Sequence, residues 1–107
     1  MLFGMGKKPI FALDIGSSAI KLVQIQKKRS GYALVSYCAI ALPEDTIVDG
    51  EIINHAVVTE TIKSIIKESG VKTNLVCTSV AGASVIIKHI LIPKSSGQEI
   101  EDQVYWE

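Results

Sequence analysis

The sequence predicts an α/β fold in which three antiparallel strands form a meander and are followed by a helix and a parallel strand. Two observations lead to this prediction. Residues 10–42 contain three apolar segments of strand length separated by short polar turns. Residues 54–69 then show helical periodicity before another strand-like segment, and a strand reached through a helical crossover is usually parallel to a neighbour.

The composition is typical of one small packed domain rather than of a disordered chain. Of the 107 residues, 48% are hydrophobic and 21% are charged, as in an ordinary soluble core. Basic and acidic residues number 11 each, and this balance argues against electrostatic binding to nucleic acid or anionic lipid.

Cys38 and Cys77 have neither metal-ligand nor disulfide spacing, so we expect free thiols in a reducing cytoplasm. Neither the N-terminal residues 1–8 nor the apolar run that Asp14 interrupts has the pattern of a signal peptide or the length of a membrane span.

The first two predicted strands are joined by a tight polar turn. Residues 10–14 are apolar at nearly every position, as expected of a central strand that is buried on both faces. Residues 20–27 alternate in character, so they form a second strand that places Lys21 back beside the turn. Gly16 can adopt the positive φ that a sharp reversal needs.

The third predicted strand covers residues 32–42 and has apolar residues on both parities. Pro43 ends it, because proline cannot donate a hydrogen bond to a strand ladder. We expect residues 44–53 to be a surface connection between this strand and the helix.

A helix is predicted over residues 54–69, with Asn54 as its N-cap and Gly70 just past its end. Its apolar residues recur at helical spacing and form one stripe that must pack against the sheet. The stripe consists of Val58, Ile62, Ile65 and Ile66.

Three further elements are predicted towards the end of the chain. Residues 74–80 form a fourth strand, parallel to a neighbour, and residues 85–92 alternate like a fifth strand. Ser96 and Glu99 have the spacing of a capping box, and residues 100–106 form the first turns of a second helix.

The turn after the first strand is the candidate functional site. Asp14 ends the strand and could hold a hydrated Mg²⁺ in its outer shell, through water. The backbone N–H groups of Gly16, Ser17 and Ser18 could bind phosphate oxygens, and Lys21 would offset their charge. On local chemistry alone, the alternative is an ordinary hairpin in which the aspartate and the glycine serve only as turn formers.

A family resemblance rests on the same residues. Residues 14–21, DIGSSAIK, resemble the first phosphate-binding hairpin of the actin, Hsp70 and sugar-kinase superfamily, whose pattern is close to Asp-x-Gly-(Ser/Thr)-x-x-x-Lys. The wider segment 12–24 resembles one branch, the PilM family of type IV pilus assembly proteins, which are actin-like relatives of the division protein FtsA. Residues 42–44, LPE, and 48–52, VDGEI, extend that likeness, which runs over essentially the whole chain.

The resemblance implies an actin-like, ribonuclease-H-like mixed sheet that is incomplete. It makes the chain up to about residue 83 a partial first subdomain (9–83 after a leader, residues 1–8, that we expect to be flexible) and residues 84–107 the truncated start of the small FtsA/PilM-type subdomain. No second Asp-x-Gly loop of the superfamily type follows Lys21. We therefore expect an amino-terminal fragment that neither binds ATP tightly nor hydrolyses it on its own.

The resemblance also implies a role in assembly rather than catalysis. The complete protein would be cytoplasmic and recruited by partners to the inner face of the cytoplasmic membrane, without inserting into it. It would bind ATP and Mg²⁺ through the turn residues, and it would recruit the N-terminal cytoplasmic peptide of a PilN-like protein alongside other pilus assembly proteins. No nucleic-acid partner is expected. Self-association is a further possibility, through faces exposed by truncation such as the one that carries Tyr105 and Trp106.

Two alternatives remain open from the sequence. One is a phosphotransferase or ATPase of the sugar-kinase or Hsp70 type, which would need a general base or a positioned water on residues that this chain lacks. The other is an FtsA-like division scaffold, which would need an amphipathic C-terminal helix.

Overall fold

A computed structural model describes residues 8–79, 85–94 and 96–106 of the chain. Most of the predicted leader (residues 1–7) and the predicted break before a fifth strand (residues 81–84) therefore lie outside the described residues. The strands are β1 (Phe11–Ile15), β2 (Ala19–Lys28), β3 (Gly31–Ala41), β4 (Ile47–Val48), β5 (Glu51–Ile52) and β6 (Val76–Thr78), and the helices are α1 (His55–Ser69) and α2 (Gly97–Trp106). No described helix is both long enough and apolar enough to cross a membrane.

Four strands form one mixed sheet in the order β3-β2-β1-β6. β1 is antiparallel to β2 and β2 to β3, whereas β6 is parallel to β1. The chain passes from β3 to β6 through α1, which is the crossover that a parallel neighbour requires. The predicted meander, helix and parallel strand are confirmed.

The hydrophobic core lies between α1 and one face of the sheet. Ile20 and Leu22 of β2 are fully buried, and so is Ile65 of α1. The predicted stripe of α1 is confirmed, since Val58 is also buried and Ile62 packs against the same cluster. The other buried apolar residues are Phe11, Leu13, Leu42 and Ile47.

Both ends of α1 are capped as the sequence predicts. The Asn54 side chain accepts a hydrogen bond from the Val57 backbone N–H at 3.2 Å. At the other end Gly70 has a φ of 74°, and its N–H donates to the Lys67 carbonyl at 3.3 Å. These contacts satisfy backbone groups that the helix itself leaves unpaired.

The prediction that β1 is buried on both faces is wrong. Phe11 and Leu13 point into the core, but Ala12 and Asp14 are exposed on the opposite face. Burial depends on what covers a sheet, and among the described residues α1 covers the Leu13 face while the Asp14 face stays open. We call this second surface the open face. Registers place Val23, Ile25, Leu34, Tyr37 and Ala39 on it as well.

The connection at residues 44–53 is more ordered than expected. β4 and β5 form a small hairpin whose turn residues Asp49 and Gly50 have φ values of 53° and 79°. Positive φ at both central residues is the signature of the type I′ turn, which Asp-Gly favours. Thr46 is only 2% exposed, and its Oγ1 donates to the Pro43 carbonyl at 2.7 Å, which anchors the segment.

The fifth predicted strand, residues 85–92, is also wrong. The segment has no regular secondary structure, and Ile86, Ile87 and Leu91 are almost fully exposed. An alternating pattern produces a strand only where a neighbouring strand completes the hydrogen-bond ladder, and no described strand pairs with these residues. The fourth strand is shorter than predicted, covering Val76–Thr78, and residue 80 lies outside the described residues.

The predicted capping box of the second helix is confirmed. The Ser96 N–H donates to the Glu99 carboxylate, and the Glu99 N–H donates to Ser96 Oγ, both at 3.4 Å. α2 begins at Gly97, three residues before the predicted start, because the first turn after the cap is already helical.

Candidate functional site

The turn between β1 and β2 places Asp14 directly opposite Lys21. The register pairs Asp14 with Lys21 and Ile15 with Ile20, so the two charged residues share the open face beside the turn. Directly opposed residues of antiparallel strands have Cβ atoms about 4.5–5.5 Å apart. Both side chains are exposed, and neither has an ion-pair partner among the described residues, whereas Lys63 and Glu60 do form a pair. Both charged groups are therefore available to a ligand.

The turn needs glycine at position 16 because the Ala19 carbonyl lies close to it, and not because the backbone takes an unusual angle there. The Gly16 N–H donates to the Ala19 carbonyl at 3.0 Å, and the φ of Gly16 lies outside the positive region. A Cβ at this position would lie 3.1 Å from that same carbonyl oxygen. The expected positive φ is therefore wrong, but the need for glycine remains. Because the Gly16 amide is already engaged, it would have to leave Ala19 before it could bind a phosphate.

Ser17 and Ser18 provide the unpaired hydrogen-bond donors of the turn. Both are exposed, and neither their hydroxyls nor their backbone N–H groups have a hydrogen-bond partner among the described residues. The carbonyl of Ser18 accepts a hydrogen bond of 2.8 Å from the N–H of Leu42, which fixes the turn to the chain after β3. The turn backbone is thus tied to the chain after β3, while two amides and two hydroxyls of exposed residues have no partner among the described residues.

The site stands on the most deeply buried part of the sheet. Ile20 and Leu22 flank Lys21 along β2 and are both 0% exposed, so the strand that carries the lysine is fixed by the core. On the other side of β1, Thr78 Oγ1 donates to the Leu13 carbonyl at 2.9 Å. Sequence reasoning missed Thr78. The parallel pairing of β1 with β6 could have indicated it, since the carboxyl ends of parallel strands meet at one edge.

The metal-ligating groups at the turn suit a hydrated cation better than a cation bound directly by protein side chains. Within the described ranges, no three His, Cys, Asp or Glu side chains come together to hold a metal ion. Asp14 is the one acidic residue of the segment 14–21. Mg²⁺ keeps several of its waters and is commonly bound by one or two carboxylates together with substrate phosphates, so a single carboxylate beside phosphate donors is a suitable partner for it.

Neither cysteine belongs to this site. Both are free and half-buried, and Cys38 lies on the core face of β3 with its Sγ 3.8 Å from the Glu68 carboxylate of α1. Partial burial and the nearby negative charge raise the pKa of the Cys38 thiol. The thiol therefore stays protonated and is a poor nucleophile near neutral pH.

Comparison with known proteins finds both a matching family and similar solved structures. The family model of the type IV pilus assembly protein PilM matches residues 12–107, which include all the candidate residues of the turn. Among solved structures, the chain is similar to one described as a PilM-PilN type IV pilus biogenesis complex, with a TM-score of 0.69 and 28% sequence identity. That match covers 91% of this chain and 28% of the other, so this chain spans little more than a quarter of its length.

Proposed function

Because the chain belongs to the PilM family of type IV pilus assembly proteins, we propose that it supplies part of an ATP site to an actin-like assembly component. The register that sets Asp14 opposite Lys21 at the Gly16 turn carries this proposal. It puts the Lys21 ammonium group, the Asp14 carboxylate and two serine residues with unpaired hydrogen-bond donors at one end of the β1–β2 hairpin.

Each residue of the turn has a distinct proposed role. Lys21 neutralises phosphate charge, and the amides and hydroxyls of Ser17 and Ser18 donate to phosphate oxygens. Asp14 accepts hydrogen bonds from the water shell of Mg²⁺. Gly16 lets the turn close tightly, and its own amide can reach the ligand only by exchanging the Ala19 carbonyl for it. ATP and Mg²⁺ are the proposed cofactors.

We propose that nucleotide acts on assembly and not as the substrate of a metabolic reaction. A ligand shifts a conformational equilibrium only if it binds one state better than the other. A hairpin that holds the phosphates on one lobe can do this when a second lobe holds the rest of the nucleotide. Membership in a pilus assembly family favours this role over the sugar-kinase type of chemistry.

The proposed partner is the N-terminal cytoplasmic peptide of a PilN-like inner-membrane protein. The solved structure that this chain resembles is a complex of PilM with PilN. In this chain, Ile86, Ile87 and Leu91 are exposed on a segment without regular secondary structure, and such an apolar surface suits the binding of a peptide with apolar side chains. Recruitment through this peptide would hold a cytoplasmic protein at the inner face of the membrane.

Nucleotide binding is the direct test. A fluorescent ATP analogue with Mg²⁺ should bind the longest natural form of the protein, and Lys21→Ala should weaken that binding about 10- to 100-fold, as expected for the loss of a charged hydrogen-bond donor. Lys27→Ala is the matched control, since Lys27 is also exposed and lies on β2 at the same parity, but at the far end of the strand. We expect little binding to the 107-residue chain alone. If Lys21→Ala and Lys27→Ala weaken binding of the analogue equally, the turn is not the nucleotide site.

A further inference from the structure

Among the described residues, β3 is a free edge of the four-stranded sheet, and it has few of the features that usually protect an edge. It is 11 residues long, from Gly31 to Ala41, and contains no charged residue and no proline. Edge strands in monomeric proteins are usually short, or carry charges or proline that prevent pairing with another chain. An uncharged edge of this length is suited to strand pairing.

The residues of β3 are available for such a contact. Tyr32 and Leu34 are exposed, and Tyr37 is 59% exposed near the middle of the strand. One protective feature is present, a register shift that leaves Val35 without an opposed residue on β2. This irregularity bends the first part of the strand. The part from residue 36 to 41 stays regular, and half of its backbone N–H and C=O groups point away from β2.

The charges on either side of β3 are of opposite sign. The hairpin tip before it carries Lys27, Lys28 and Arg29, whereas Glu44 and Asp45 follow it. If two copies paired in parallel, like charges would meet at both ends. In an antiparallel pair, the basic tip of each copy lies beside the acidic end of the other. The charge pattern therefore favours a second copy of this chain in one orientation.

We propose that the β3 edge binds the β3 edge of a second copy, antiparallel about a twofold axis near Tyr37. The two sheets would then form one continuous sheet, with both α1 helices on the same side. A twofold contact uses the same patch on both subunits, and a strand edge is complementary to itself in this way. Because the contact is small, we expect a reversible dimer whose population rises with concentration and falls as salt screens the flanking charges.

Sedimentation of the 107-residue chain over a range of concentrations tests this dimer. Tyr37→Lys and Tyr37→Glu should each weaken dimerisation at least about tenfold, because the twofold axis sets two like charges next to each other. Mixing the two variants should restore a heterodimer, since opposite charges then meet. Circular dichroism and thermal melting of each variant check that it is folded, and the rescue on mixing cannot come from an unfolded chain.

Ile25→Lys is the matched control. Ile25 is 50% exposed on the same open face as Tyr37, but it lies on β2 in the interior of the sheet. It should leave edge pairing unchanged. If Ile25→Lys weakens association as much as Tyr37→Lys does, the open face is the contact and the edge is not. If Trp106→Lys alone abolishes association, the contact involves the exposed Tyr105–Trp106 pair. Either result overturns the proposal, as does a chain that stays monomeric at every concentration.

Discussion

Asp14 and Lys21 are cross-strand neighbours on the open face of the sheet, one on each side of a turn that the Gly16–Ala19 hydrogen bond closes. Their spacing is set by the register of β1 and β2 and not by an ion pair. The residues on either side of Lys21 are fully buried, so the core fixes the position of the lysine backbone. The backbone that carries Lys21 is therefore preorganised for a ligand, whereas the Gly16 amide must first leave the Ala19 carbonyl.

The first prediction concerns the space at Gly16. Gly16→Ala puts a Cβ 3.1 Å from the Ala19 carbonyl oxygen, a backbone atom that would have to shift by a few tenths of an ångström. We expect a loss of about 1–3 kcal/mol in the free energy of unfolding, as for other overpacked sites, together with weaker binding of the nucleotide analogue by the longer natural protein. Urea denaturation and analogue titration measure the two effects.

Gly97→Ala is the control for that prediction. A Cβ at Gly97 meets nothing within 4 Å, and the residue lies at the start of α2. Alanine there should be neutral or slightly stabilising. If Gly16→Ala lowers the free energy of unfolding no more than Gly97→Ala does, the turn is not tightly closed. The nearness of the Ala19 carbonyl would then not explain why residue 16 is a glycine.

The second prediction concerns the N-cap of α1. Asn54→Ala removes the acceptor of the Val57 N–H and should lower the free energy of unfolding by about 1 kcal/mol. Asn54→Ser keeps an acceptor of similar reach and should cost much less. The urea midpoints of the two variants decide the question, because equal losses would show that the side chain does not cap the helix.

The third prediction concerns the pKa of the Cys38 thiol. The Glu68 carboxylate disfavours the thiolate, so Glu68→Gln should lower the pKa and speed alkylation at a given pH. The rates are compared by iodoacetamide labelling across pH in a Cys77→Ser background. Glu60→Gln, a change of an exposed residue on the same helix, should have no such effect.

The same thiol makes stability depend on pH in a definite direction. Its pKa is higher in the folded state than in the unfolded state, so the folded state binds the proton more tightly. The contribution of Cys38 to stability is fully present below the pKa of the unfolded thiol. It is lost as pH rises through the folded pKa. Unfolding measured through this alkaline range should show a smaller pH dependence in Cys38→Ser.

The sequence predicts local relationships well because they depend on short stretches of chain. The alternation of residues 20–27 across a short turn is enough to place Lys21 beside Asp14. The same holds for the caps of α1 and the capping box at Ser96. The role of Gly16 was harder to predict, because the approach of the Ala19 carbonyl depends on how the turn closes and not on residue type.

The errors arose where structure depends on distant neighbours. The apolar pattern of β1 indicates burial on both faces, but burial requires a second covering layer that the described residues do not supply. Residues 85–92 alternate like a strand and yet have no partner strand among those residues. In both cases the sequence pattern indicates what the side chains favour, but burial or strand formation also depends on neighbours supplied by the rest of the fold.

The fourth prediction tests this difference between the two faces of the sheet. Leu22 and Ile25 are large aliphatic residues of the same strand on opposite faces, and their side chains are 0% and 50% exposed. Leu22→Ala removes packed core atoms and leaves a cavity, so it should cost about 2–5 kcal/mol of unfolding free energy. Ile25→Ala should cost less than about 1 kcal/mol in the 107-residue chain, because much of its side chain already contacts water. Urea denaturation of both variants gives the comparison, and a Leu22→Ala chain already unfolded without urea counts as the large loss. Equal costs would mean that the open face is covered in solution, since only burial makes the loss of an aliphatic side chain expensive.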